Sequence, residues 1–170
     1  ASSGLTSAMG RWRPPPPAAS PYITRTGYSA LQQQMQELWL RRREVVKALA
    51  AAAAEGDRSE NAEYIYRKKE LGGIDRRIRY LQKRMPQLKV VDSQRRDKAF
   101  FGAWVLLERN DGSQVEYRIV GPDEADLATN CISMDSPLAR ALLHKGVDDV
   151  IVLMLDERHD TFLVTGIRYE

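Results

Sequence analysis

Apolar side chains recur at alternating spacings of three and four along two long stretches of the chain. Leu31, Met35, Leu38, Val45, Leu49 and Ala52 make the first series; Tyr64, Leu71, Ile74, Ile78, Leu81, Met85 and Leu88 make the second. That period keeps each series on one helix face and predicts two helices packed through a heptad-like seam, with Arg42 and Arg67 as its polar breaks. Thr26 or Ser29 can cap the first helix, and Gly56 suits the left-handed position that ends it. The second helix should start at Ser59 or Glu60 and run to Met85, with Pro86 ending it or opening an irregular last turn. Joined by so short a turn, the two helices run antiparallel. At 1.5 Å per residue, an arm of about 26 residues reaches roughly 40 Å. Gly72-Gly73 falls inside the second helix, where each glycine costs about 1 kcal/mol relative to alanine, and predicts a bend or weak point.

The pattern changes after residue 91. Residues 100–107 form an apolar run that predicts a buried strand, and Asn110-Asp111-Gly112 is a turn signal. Residues 115–120 alternate as a strand that Gly121-Pro122 terminates, and residues 129–134 read as another. Ser136-Pro137 opens a short helix through Leu143, and residues 147–155 and 161–169 read as two final strands. The fold class is α+β: a long antiparallel helical hairpin over residues 22–91, a polar linker over 92–98, and a mainly antiparallel sheet domain with one short helix over 99–170. Residues 1–21, with Pro14-Pro15-Pro16-Pro17, lack periodicity and read as a disordered tail or an added leader, with Met9 as a candidate natural start.

Charge separates the same two modules. Residues 22–90 hold 15 Lys and Arg against 8 Asp and Glu, a net of +7; residues 91–170 hold 9 against 15, a net of −6. A basic arm is drawn to acidic surfaces or nucleic acid. No apolar run is long enough to cross a membrane, and no apolar stretch follows the early arginines as a signal peptide would require. The single Cys131 excludes an intrachain disulfide framework and a Cys-based zinc site, and a reducing cytoplasm is the simplest setting. With one cysteine, and with His144 and His159 among surface residues, a serine, cysteine or histidine hydrolase is disfavoured.

Against this basic background the hairpin tip, residues 55–63, is acidic. Glu55, Asp57, Glu60 and Glu63 gather beside the lone base Arg58. A helix start explains part of this: Asp57 or Ser59 can cap, with Glu60 reaching back in a capping box. It does not explain why the acids sit at the end of a long arm, where like charges repel unless a cation visits. Mg²⁺ takes octahedral oxygen coordination, often one or two carboxylates completed by phosphate and water. Asp57 and Glu60 therefore suit a site whose other ligands belong to a partner. Beyond the tip, Tyr64 and Tyr66 offer stacking faces, and Arg67, Lys68, Lys69, Arg76, Arg77, Arg79, Lys83 and Arg84 can hold phosphates of a single-stranded end. A solvated helix face would read the same way.

These residues are specific enough to carry a resemblance. The runs Gly56-Asp57-Arg58-Ser59-Glu60-Asn61-Ala62-Glu63-Tyr64, Tyr66-Arg67-Lys68-Lys69 and Ile74-Asp75-Arg76-Arg77-Ile78-Arg79-Tyr80-Leu81 resemble the bacterial Gre transcript cleavage factors, within them the GreB subtype. So do Phe100-Phe101-Gly102-Ala103, Tyr117-Arg118-Ile119-Val120-Gly121 and Ser136-Pro137-Leu138-Ala139-Arg140-Ala141-Leu142-Leu143 in the second module. The resemblance implies a coiled coil followed by an FKBP-like domain without prolyl isomerase activity. That domain would dock on RNA polymerase through Ser136, Pro137 and Arg140, while the coiled coil enters the secondary channel as a free monomer's arm. Asp57 and Glu60 would then hold a second Mg²⁺ shared with the polymerase and orient the attacking water, with Glu63 in a minor part. Tyr64, Arg67, Lys68, Lys69, Arg76 and Arg77 would hold the extruded 3′ end of the nascent RNA. The chain would activate the polymerase's own RNA cleavage and would not be a nuclease alone. The alternatives are a regulator that occupies the channel without cleaving, and a coiled-coil nucleic-acid binder unrelated to polymerase. The double glycine Gly72-Gly73 and the segment His144-Lys145-Gly146-Val147-Asp148-Asp149 depart from the family pattern.

Overall fold

The computed structural model describes residues 18–55, 61–93 and 95–169. Strand β1 (Tyr22–Ile23) leads into helix α1 (Arg25–Ala54), which returns as α2 (Ala62–Arg84). A 3-10 turn at Met85–Gln87, placed by Pro86, then delivers the chain to β2 (Lys89–Val90). The hairpin seam is the one expected. Leu31, Val45 and Ala52 of α1 and Ile74, Ile78 and Leu81 of α2 are buried, with Met35, Leu38 and Leu71 packed against them. Val45 and Leu81 are fully enclosed, each a burial of about 1.5–3 kcal/mol. The polar break at Arg42 is matched across the seam, where its Nε lies 2.7 Å from the Asp75 carboxylate.

Both helix starts differ from expectation. Thr24, not Thr26 or Ser29, caps α1: its hydroxyl accepts the Gly27 N–H at 3.0 Å. Asn61, not Asp57 or Ser59, caps α2, which starts at Ala62 instead of Ser59 or Glu60. Helix α2 runs unbroken through Gly72-Gly73, and the space their missing side chains leave admits the Arg76 guanidinium, 3.4 Å from where a Cβ on Gly72 would stand.

The second module is a five-stranded sheet in the order β5-β4-β3-β7-β6. Its strands are β3 (Trp104–Arg109), β4 (Gln114–Val120), β5 (Cys131–Ser133), β6 (Val150–Leu155) and β7 (Arg158–Arg168), with helix α3 (Pro137–Leu142). Pairing is antiparallel except between β4 and β5, which run parallel. Val105 and Leu107 of β3, Ile119 of β4, Ile132 of β5, Ile151 of β6 and Val164 of β7 share one core with Ala139 and Leu142 of α3. The apolar run at 100–107 enters the sheet only at Trp104; Phe100 and Phe101 belong to the turn before it.

The two modules meet at the hairpin's base. Strands β1 and β2 pair in parallel, Tyr22 with Lys89 and Ile23 with Val90, which seats both ends of the hairpin side by side. The expected tail of residues 1–21 becomes engaged earlier than Tyr22. The Ser20 carbonyl accepts from Arg84 Nη2 at 2.6 Å, and the Pro21 carbonyl accepts from Lys89 N at 2.7 Å. The Ser20 amide and hydroxyl donate to the Asp135 carboxylate at 2.9 and 2.5 Å. In the expected linker, Asp92 pairs with Arg25 at 2.8 Å and Lys98 bridges to Gly146.

Candidate functional site at the hairpin tip

Asp57 and Glu60 fall in residues 56–60, outside the described residues. What holds that segment is described on both sides. Helix α1 ends with the Glu55 N–H on the Ala52 carbonyl at 3.3 Å. Asn61 then serves both helices at once. Its Oδ1 accepts the Tyr64 N–H at 3.1 Å, capping α2, and its Nδ2 donates to the same Ala52 carbonyl at 2.7 Å. One amide side chain thus ties the end of α1 to the start of α2. The motif reading contains Asn61 but gives it no part; an asparagine just before a helical stripe is the signal that could have found it.

Asn61 therefore supplies the cap of α2. Asn61→Ala removes the cap and the cross-helix hydrogen bond together. It is expected to cost about 1–2 kcal/mol, read as a lowered urea midpoint, and to speed hydrogen exchange at the Tyr64 amide.

The basic residues after the tip divide into two groups. Glu63 pairs with Arg67 at 2.7 Å, Arg67 with Glu70 at 3.2 Å, Glu70 with Arg41 at 2.6 Å, and Arg41 with Glu44 at 3.1 Å. This ladder crosses from α2 to α1 and absorbs Arg67, an expected RNA contact, into the hairpin's own electrostatics. Arg77 is also engaged, donating to Gln34 Oε1 at 2.9 Å and lying 5.3 Å from the Tyr80 ring centroid. Tyr64 is half-buried beside the Asn61 cap.

Lys68, Lys69 and Arg76 are exposed, as is Tyr66. Tyr66, Lys69, Gly73 and Arg76 line an open groove of about 520 Å³ together with Leu38, Glu70 and Ile74. Tyr66 and Gly73 lie seven residues apart, as do Lys69 and Arg76, so aromatic face, notch and cations follow one line along α2. The sheet module's candidate residues stand apart from this groove: the Ser136 hydroxyl caps α3 by accepting the Ala139 N–H at 3.2 Å, Pro137 opens that helix, and Arg140 is exposed. Burial alone would raise the neighbouring Asp135 carboxyl, but its Ser20 hydrogen bonds, with Arg140 and Arg84 nearby, hold it below the usual range.

Among the described residues no group of three or more His, Cys, Asp and Glu could hold a metal ion, and no helix is long and apolar enough to cross a membrane.

The chain matches the family description "Transcription elongation factor, N-terminal" over residues 21–90 and "Transcription elongation factor, GreA/GreB, C-term" over residues 94–169. It is 55% identical to transcription elongation factor GreB of Xanthomonas axonopodis pv. citri over 95% of this chain and 98% of that protein. It is 51% identical to transcription elongation factor GreB of Pseudomonas aeruginosa, again over 95% and 98%. A crystal structure of GreA factor homolog 1 from Thermus thermophilus aligns with a TM-score of 0.41 at 27% identity, over 86% of this chain and 97% of that one. With both halves matched in order, the chain belongs to the GreA/GreB family of transcription elongation factors.

Proposed function

We propose that this elongation factor works in the cytoplasm, as a single copy, by inserting its hairpin into the secondary channel of RNA polymerase and stimulating endonucleolytic cleavage of backtracked nascent RNA. The observation that carries the reading is the Asn61 clip: the ends of α1 and α2 that flank an acidic five-residue segment are tied together at the far end of a basic arm, and Asn61 itself caps α2. The donor set fits a metal site completed elsewhere, because two carboxylates are too few to enclose Mg²⁺ and suit one that retains water and phosphate ligands. Asp57 and Glu60 would hold the ion. Bound there, Mg²⁺ activates water and stabilises the leaving oxygen of a phosphodiester.

The chain's own residues do the rest. Asp57 and Glu60 accept hydrogen bonds from the attacking water and orient it, and Glu63 contributes a weaker field from its pairing with Arg67. Lys68, Lys69 and Arg76 hold the phosphates of the extruded 3′ end, and Tyr66 stacks on a base. Arg67 and Arg77 support these contacts from within the hairpin. Ser136, Pro137 and Arg140 dock the sheet module on the polymerase, and catalysis belongs to the polymerase with this chain as its activator.

The test is a stalled, backtracked elongation complex carrying end-labelled RNA, with Mg²⁺ and saturating factor. Shortened RNA that restarts on addition of nucleotides is the expected result. RNA that stays full length while the factor is bound would instead identify a non-cleaving occupant of the channel.

A further inference from the structure

The 3-10 turn at Pro122–Glu124 lies in the second module, between β4 and β5. Its two carboxylates each grip a different helix of the first. Asp123 takes the end of α2: Arg84 Nε lies 2.8 Å away in an ion pair whose side chains are only 12% and 4% exposed, and the Tyr80 hydroxyl donates to the same carboxylate. Glu124 takes the start of α1. Its Oε1 accepts the Thr24 N–H at 3.0 Å and the Gly121 N–H at 3.0 Å, and its Oε2 accepts the Thr24 hydroxyl at 2.7 Å. Since that hydroxyl is the N-cap of α1, Glu124 holds the group that starts the helix.

The approach is close enough to exclude side chains. A Cβ on Gly27 would stand 1.6 Å from Glu124 Oε2, and a Cβ on Gly121 would stand 1.9 Å from the Tyr22 carbonyl oxygen. The first obstacle is the end of a side chain, but one fixed by three hydrogen bonds. The second is backbone, which cannot step aside without moving β1 against the turn.

We infer that the Pro122–Glu124 turn sets the angle between the stalk and the sheet module, with Glu124, Gly27 and Gly121 as positioning residues for delivery of the hairpin tip. Two grips on adjacent residues, one per helix, restrain tilt and rotation together, which a single contact could not. The lever makes the restraint matter. Helix α1 has 30 residues, about 45 Å at 1.5 Å per residue, so a tilt of about 10° at the base displaces the tip by roughly 8 Å. Misplacement of a reacting group by about 1 Å can cost on the order of 10²-fold in rate. The inference rests on the proposed tip chemistry for its functional consequence and on geometry alone for the fixed angle.

The experiment reads the two separately. In a Cys131→Ser background, spin labels at Lys47→Cys on α1 and Leu127→Cys on the sheet module report their distance by pulsed electron resonance on the free protein. Gly121→Ala and Glu124→Ala are each expected to shift or broaden that distance by about 5 Å, the lever calculated over the twenty residues from Gly27 to Lys47. Glu124→Gln, which retains an acceptor for both N–H groups, keeps the wild-type distribution. With polymerase, the two alanine variants lose at least about tenfold in maximal cleavage rate, whereas the factor concentration for half-maximal cleavage stays within about threefold, because Ser136, Pro137 and Arg140 are untouched; Glu124→Gln restores the rate. Circular dichroism melts confirm that each variant is folded, and Glu124→Ala supplies the result if Gly121→Ala does not fold. An unchanged distance distribution in folded Glu124→Ala overturns the inference. Absence of cleavage by the wild-type chain would overturn the proposed function and leave the distance result to decide the joint.

Discussion

Asp57→Ala is expected to slow RNA cleavage in the polymerase complex by about 10³-fold, and Glu60→Ala by a similar factor. Loss of a metal site removes several kcal/mol of transition-state charge stabilisation, and each ~1.4 kcal/mol is a factor of ten. The two residues act as one unit, so the double variant should be little worse than either single one. Added Mg²⁺ should partly restore the single variants, which keep one carboxylate, and leave the double variant unchanged. The half-saturating factor concentration should hold, because the proposed docking residues Ser136, Pro137 and Arg140 lie in the other module. Stability should change by no more than about 0.5 kcal/mol, since Asn61 rather than Asp57 caps α2. Cleavage at the wild-type rate in both single variants, measured on gels of stalled complexes, would remove the assigned role.

Arg84→Ala carries the largest expected effect on stability. Arg84 and Asp123 are both nearly enclosed, and Arg84 also donates to the Ser20 carbonyl. Removing the cation leaves an enclosed carboxylate without its counter-charge, a change worth about 3–5 kcal/mol in comparable buried pairs. The urea midpoint should fall accordingly. Arg84→Met with Asp123→Leu should recover much of the loss, because an apolar pair of similar volume leaves no charge uncompensated. Equal losses in the single and double variants would show that the ion pair is not what holds this corner together.

The hairpin seam was legible in the sequence because helical periodicity is local: Leu31, Val45, Ile74, Ile78 and Leu81 are buried where the spacing puts them. The turn at Asn110–Gly112, the end of β4 and the Ser136-Pro137 helix start were legible for the same reason. What was missed depends on residues far apart in the chain. Thr24 caps α1 in place of Thr26 or Ser29 because Glu124, 100 residues away, orients it. Asn61 caps α2 in place of the expected Asp57 or Ser59, and it also reaches Ala52. Strands β1 and β2 have two residues each, too short for any period, and their pairing converts the last residues of the expected tail into structure. Arg77 reads as a free cation, yet its partner Gln34 is chosen by the antiparallel register; Arg67 also reads as free, although its partners Glu63 and Glu70 stand one turn away on the same helix, a local spacing the sequence does show. The acids Asp57 and Glu60 form a motif in the sequence and lie outside the described residues; Asn61 ties together the helix ends that flank them.

The parallel pairing of Tyr22-Ile23 with Lys89-Val90 has a consequence for how such a stalk can change length. Helix α1 starts and helix α2 finishes at one anchored base, so the hairpin behaves as a closed insertion whose reach can vary without disturbing its mount. Removing seven residues from each helix preserves the facing of the remaining side chains and retracts the tip by about 10 Å. Removing three or four would rotate the acidic end away from its approach. Reach is therefore available to evolution, or to an engineer, as a ruler marked in two-turn steps.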